Sequence, residues 1–315
     1  MGRITRIFCV FLLTSVLASF SGGCGTEDAQ AAPSTGEKAA DPAARRETLT
    51  AVLTPETPGT QVYGNDTVSI DASCTSEGYV CVRYTGSVEK IKMQLTTPDS
   101  TVYTYTLNPG DYEAFPLSGG DGEYHLDVLE NVVDDRYALL FSQDLAVALS
   151  DPFKPFLYPN QYVWFTPESK AVALARELSE SSVSDLDYVT QVYHYVIEHI
   201  SYDTEAAKNI PKGYLPDIDV TLSTGKGICF DYASLMSAML RSQGVPTKLE
   251  VGYSGQAYHA WISVYLDEIG WVDKIIEFDG KSWSLLDPTL AASNDPEAVQ
   301  EYVGDGSNYT VKYSY

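Results

Sequence analysis

Cys229, His259 and Asp287 are the residues of this chain whose types and surroundings could carry covalent chemistry. Cys229 follows Gly225-Lys226-Gly227-Ile228 and precedes a helix-forming run, Ala233 to Leu240, which is closed by Gly244 and Pro246. Glycine then proline is the usual order past a helix C-terminus. The thiol therefore stands at or near a helix N-terminus, where backbone N–H groups and the helix dipole favour an anion and lower a thiol's pKa. A small buried residue starting a core helix is the competing reading. His259 lies in an alternating run in which His259, Trp261, Ser263 and Tyr265 share one face and Ala260, Ile262, Val264 and Leu266 the other. Trp283, Leu285 and Asp287 share a face of a later strand. If those strands are neighbours and the Cys229 helix packs on the His259 face, the three side chains meet as nucleophile, base and orienting group. Asp287 before Pro288 is equally suited to a turn.

The elements that must position these residues occupy the second half of the chain. Residues 60–150 read as short alternating strands, among them Val80–Tyr84, Ile91–Leu95, Val102–Leu107, Tyr124–Leu129 and Tyr137–Phe141, separated by turn signals such as Asn108-Pro109-Gly110. That spacing suggests a small β-sandwich of immunoglobulin-like type, a scaffold or binding module. Residues 151–315 read as α+β. A proline-rich connector leads to a helix over Ala171–Leu178, and a second helix is signalled by Ser184 with Asp187 three residues on. A loop from Tyr202 to Asp219 follows, then the Cys229 helix and strands over 247–253 and 258–266. Asp267–Lys274 reads as an extra loop, and Phe278-Asp279-Gly280-Lys281 as a hairpin turn before Trp283–Leu286. A last strand covers 309–313. His194 and His199 stand five apart on the second helix, a spacing that fits packing or surface positions better than a metal pair.

The formal charge is −23 and the sequence pI about 4.3, which argues against a nucleic-acid partner. Tyrosine is abundant, 23 against 10 Phe, which suits strands first and a binding surface second. No C-x-x-C pair exists, no calcium loop is present, and Cys229, His259 and Asp287 have no further cysteine or histidine nearby to complete a zinc site. No cofactor or metal is implied. Cys74 and Cys81 flank a turn and could form a disulfide in an oxidising compartment, leaving Cys229 without a partner.

Residues 1–24 read as a secretory signal, with Arg3 and Arg6 ahead of an apolar run, Ile7–Leu17, too short to span a bilayer. The small residues ending at Cys24 resemble a bacterial lipoprotein signal, in which that cysteine is lipidated, although Ser21 replaces the usual leucine. Residues 25–59 read as a flexible linker that would hold the folded part away from a membrane. The expected location is extracytoplasmic, with a lipid anchor as the only membrane contact; simple secretion is the alternative.

Gly227-Ile228-Cys229-Phe230-Asp231-Tyr232-Ala233, Gly244-Val245-Pro246, Val251-Gly252-Tyr253, His259-Ala260-Trp261 and Leu286-Asp287-Pro288-Thr289 together resemble the transglutaminase-like superfamily in its bacterial form. The resemblance implies a papain-like α+β catalytic domain with Cys229, His259 and Asp287 as the triad. The interval from His259 to Asp287 is longer than in compact members, so Asp273 and Asp279 stand as weaker third members. Such a site attacks an amide or ester carbonyl and forms a thioester. The Cys229 backbone N–H is the first oxyanion donor, and Tyr214 or other upstream loop residues are candidates for the second. Water would then give a peptidase or amidase acting on a peptide, protein or cell-wall substrate, and an amine would give a cross-link. A surface-tethered binding protein that keeps the fold without turnover is the third reading.

Overall fold

The computed structural model describes residues 46–254, 256–267, 269–278, 283–285 and 309–315. Eight strands come first: β1 Val62–Gly64, β2 Val68–Asp71, β3 Tyr79–Tyr84, β4 Ile91–Thr96, β5 Val102–Leu107, β6 Glu113–Pro116, β7 Gly122–Val133 and β8 Arg136–Val147. They form two four-stranded antiparallel sheets, ordered β1-β2-β3-β6 and β5-β4-β7-β8. Alternation decides which side chains go inward. In β4, Ile91, Met93 and Leu95 are buried while Lys92, Gln94 and Thr96 are half-exposed, and in β5 Tyr103, Tyr105 and Leu107 are buried between exposed neighbours. These inward residues share one core with Ile70, Val80, Val82 and Phe115 of the other sheet.

Beyond the connector the chain forms α1 Lys170–Ser181, α2 Asp185–His199, β9 Ser201–Tyr202, α3 Thr204–Lys208, α4 Ile218–Thr224, β10 Lys226–Gly227 and α5 Cys229–Ser242. The start of α2 is capped where its sequence signals: Ser184 Oγ accepts from Asp187 N at 3.1 Å, and Asp187 Oδ2 accepts from the N–H of Val183, just before the cap, at 2.9 Å. Strands β11 Thr247–Ser254, β12 Ala257–Leu266, β13 Gly270–Phe278, β14 Trp283–Leu285 and β15 Tyr309–Ser314 then form an antiparallel sheet ordered β14-β13-β12-β11-β15. Helix α5 is buried along almost its whole length from Asp231 to Ser242. Its Leu235, Met236 and Met239 share a core with Leu249, Ala260, Ile262 and Val264 of the sheet.

Three expectations change. Asp267–Lys274 is not an inserted loop: β13 begins at Gly270 and pairs at once with β12, Leu266 opposite Gly270 and Tyr265 opposite Trp271. The stretch Tyr202–Asp219 contains α3 and the start of α4, each begun by an aspartate that accepts two backbone N–H bonds, Asp203 and Asp217. The last residues of the expected linker are bound to the folded part. Arg46 donates to Asp185 and Ser179, both at 2.6 Å, its guanidinium lies 4.6 Å from the Tyr188 ring centroid, and Glu56 N donates to Tyr79 Oη at 2.9 Å.

Tyrosine serves the interior more than the sheet surface. Tyr105 of β5 stacks on Tyr162 of the connector at 5.7 Å, and both rings meet Tyr315, at 5.9 and 4.5 Å. Tyr162 also meets Phe230 of α5 at 5.5 Å. This aromatic seam joins the first sheets to the helix that carries Cys229, and the described residues form one compact unit. Arg241, buried at the far end of α5, donates to the carbonyls of Thr247, Tyr158 and Tyr315, and burial brings its pKa down to about 9.

Candidate active site

Cys229 is the first residue of α5, and the backbone ahead of it leaves little room. A Cβ on Gly227 would come within 2.8 Å of Asp231 Cβ, so glycine is needed where β10 turns into the helix. Ile228 has no side chain able to cap, and the helix is capped from within: Asp231 Oδ2 accepts from Ile228 N at 2.8 Å. The other oxygen of Asp231 accepts from Tyr214 Oη at 2.6 Å, which ties the loop after α3 to the helix start. Burial raises the Asp231 pKa, opposed by these two donors, and burial followed by the Asp231 contact raises that of Tyr214.

The electrostatics at the sulfur reverse the expectation from the helix dipole. Burial pushes the Cys229 thiol up, and the Asp231 carboxylate adds to the shift. The backbone N–H groups of Ala260 and Phe230 lie against the sulfur and oppose the shift without overcoming it.

Cys229 and His259 line one cavity of about 430 Å³. They do not meet across the packed face of the sheet. The apolar face of β12, with Ala260, Ile262, Val264 and Leu266, joins the core of α5, while His259 alternates onto the face of Trp261, whose ring it stacks on at 6.2 Å. The two candidates line the same cavity, Cys229 as the first residue of α5 and His259 as the third of β12. Behind His259, Glu250 accepts from Trp261 Nε1 at 2.8 Å and from Ser263 Oγ at 2.7 Å, fixing the strand's polar face. Gly252, opposite His259 in register, can carry no side chain, since a Cβ there would fall 2.0 Å from Thr310 O.

Tyr202 was not singled out by sequence and proves adjacent to the thiol. The short parallel pairing of β9 with β10 sets Tyr202 opposite Gly227. Its hydroxyl is in hydrogen-bonding reach of both the Cys229 thiol and the Cys229 backbone N–H, and burial raises its pKa. Tyr214, a candidate oxyanion donor in the sequence, lines the cavity but spends its hydroxyl on Asp231. The signal for Tyr202 lay in Ser201-Tyr202, two residues that extend α2 as a strand only because β10 is there to pair with them.

Asp287 and Asp279 lie outside the described residues, as does Cys24; Asp273 is placed only as a position in β13. His194 and His199 are exposed on α2. Cys74 and Cys81 are free thiols rather than a disulfide. Cys81 points into a small cluster with Tyr79 and Ala114, and Cys74 sits at the start of a 3-10 turn, Thr75–Glu77, packed against that cluster. Burial, then the nearby Asp71 and Cys74, push the Cys81 thiol up to about 12.

Residues 172–274 match the profile of the transglutaminase-like superfamily. Kyphoscoliosis peptidase of Mus musculus is 33% identical over 114 residues, 32% of this chain and 17% of its own length. The uncharacterized protein YebA of Bacillus subtilis is 30% identical over 119 residues, 31% of this chain and 16% of its own length. The chain thus spans only about a sixth of these relatives. A solved structure of a candidate cysteine protease from Cytophaga hutchinsonii aligns with 81% of this chain and 74% of its own, at 12% identity and a TM-score of 0.34. The matched segment holds Cys229, His259 and the helix and strands that present them, and residues 172–274 are a domain of the transglutaminase-like superfamily.

Proposed function

We propose that this chain is an extracytoplasmic thiol enzyme that cleaves amide bonds in peptide or cell-wall substrates through a thioester on Cys229. The observation that carries the reading is the shared cavity: a cysteine at a helix start and a histidine near a strand start line one space of about 430 Å³. His259 is the base and Asp287 its orienting group. The Cys229 proton passes to His259 as the carbonyl is attacked. The developing oxyanion is held by the Cys229 backbone N–H and the Tyr202 hydroxyl, which already lie together. A peptidase among the relatives supports hydrolysis as the outcome.

Cys24 is the lipid-bearing residue of this reading, residues 25–45 are the tether, and the two N-terminal sheets form an immunoglobulin-like sandwich. Mass spectrometry of products, with peptide substrates and amine donors present together, tests the chemistry. Hydrolysis leaves a new carboxylate, cross-linking leaves a new amide to the donor, and Cys229→Ala should abolish either. Absence of both products with an unreactive Cys229 would leave a binding protein. Cys24→Ala should release the protein to the medium, and unchanged membrane association would remove the anchor.

A further inference from the structure

The wall of the Cys229 cavity is not built by the transglutaminase-like domain alone. Lys92, Thr104 and Thr106 of β4 and β5 line it together with Tyr258 and His259. They reach it because inward burial of Ile91, Met93 and Leu95 turns Lys92 to the outer face of its sheet. Thr106 stands directly across from Lys92 in the β4–β5 register. The loop after α3 passes over the threonine, since a Cβ on Gly213 would lie 3.8 Å from Thr106 Oγ1.

The charge at this wall is opposite to that of the molecule. The chain carries −23, yet Lys92 is the only lysine or arginine among the described lining residues, and no aspartate or glutamate is among them. Lys92 makes no ion pair among the described residues, in contrast to Lys154, which is paired with Glu77. Its ammonium lies 4.9 Å from the centroid of the Tyr137 ring, a contact that uses none of the ammonium's hydrogen bonds and pairs it with no carboxylate. The rest of the described wall is largely aromatic and aliphatic, with Tyr162, Ile210, Pro211, Phe230 and Val251.

We infer that Lys92, with Thr106 beside it, is a carboxylate-recognising subsite, so that the enzyme takes acyl donors carrying an anionic group beyond an apolar segment. This rests on Cys229 being the nucleophile. A net negative protein repels such donors, and one unpaired cation at the cavity wall reverses that repulsion where it matters. The first sheets are then part of substrate selection.

The test needs no natural substrate. Full-length protein is alkylated with N-iodoacetyl amino acids of graded spacer length, each as free acid and as primary amide, and the rate at Cys229 is read by mass spectrometry. At one spacer length the acid should react faster than its amide, by about fivefold, the size of a partly solvated charge pair. Lys92→Met should bring that acid-to-amide ratio to one or below, Lys92→Arg should keep it above one, and high salt should erase it. A ratio at or below one for every spacer in the native protein, or a preference that survives Lys92→Met, overturns the subsite. Failure of both acids and amides to label Cys229 is a different result: it removes the nucleophile, and the subsite with it.

Discussion

The Tyr214 hydroxyl donates a 2.6 Å hydrogen bond to Asp231 Oδ1, while Asp231 Oδ2 accepts from the Ile228 N–H at 2.8 Å. One carboxylate therefore caps the helix that begins at Cys229 and fastens the loop that walls its cavity. Tyr214→Phe should cost about 1 kcal/mol in urea unfolding, the usual net value of one such bond. It should also speed iodoacetamide labelling of Cys229, because the loop is released from the helix. Slower or unchanged labelling would mean that the loop is held by its other contacts.

The raised Cys229 pKa sets the pH dependence of its reactivity. The thiolate is the reacting form, so a pKa above the ordinary thiol value of about 8.5 moves the alkylation profile to higher pH. At neutral pH, labelling of the substrate-free protein should be slower than that of a free thiol and should still be rising above pH of about 8.5. The linkage has the same sign. The folded state holds this proton more tightly than the unfolded one, so its contribution to stability is present below the unfolded pKa and is lost as pH rises through the folded one. A labelling plateau below neutrality would show an imidazolium already paired with the sulfur.

Glu250 separates charge from hydrogen bonding. Its buried carboxylate accepts from Trp261 Nε1, Ser263 Oγ and, at 3.4 Å, Ser314 Oγ. Glu250→Gln can keep an oxygen toward the tryptophan and serine and turn its amide toward Ser314, whose hydroxyl can accept. Glu250→Leu strands the donors, at about 1–3 kcal/mol for each buried group left unmatched. Urea midpoints should fall much further for leucine than for glutamine, and equal losses would point to packing as the main role.

Arg46 holds the start of the described chain. Arg46→Met removes its bonds to Asp185 and Ser179, and the segment up to Glu56 should become open to limited proteolysis while the body of the protein resists. Protection equal to the parent would assign the anchoring to Leu49 and Gln243, which are bonded to each other at 3.0 Å.

Much of the fold was legible because its strands bury one face. β4 and β5 alternate cleanly, and the Ser184/Asp187 pair marks the start of α2. The loop after Tyr202 was not, because α3 and α4 are too short to show a period and depend on Asp203 and Asp217 as caps. The first half of β13, residues 270–274, was read as a loop since Gly270, Asp273 and Lys274 carry no strand signal, and it is cross-strand pairing with β12 that makes it a strand. The site was legible in its residues but not in its geometry. The apolar run Ala260, Ile262, Val264, Leu266 is the face that joins α5 in the core, and His259 alternates onto the other one, the reverse of the packing expected from the sequence. Burial of the thiol, and the approach of Tyr202 and Lys92 from elsewhere in the chain, belong to tertiary packing.

The Arg46 strap also fixes a direction. It binds the end of α1, the start of α2 and, through Leu49, Gln243 just past the C-terminal end of α5. Cys229 is at the other end of that 14-residue helix, about 20 Å away at the rise of an α-helix. The N-terminal segment is thus bound to the body at the pole opposite the thiol.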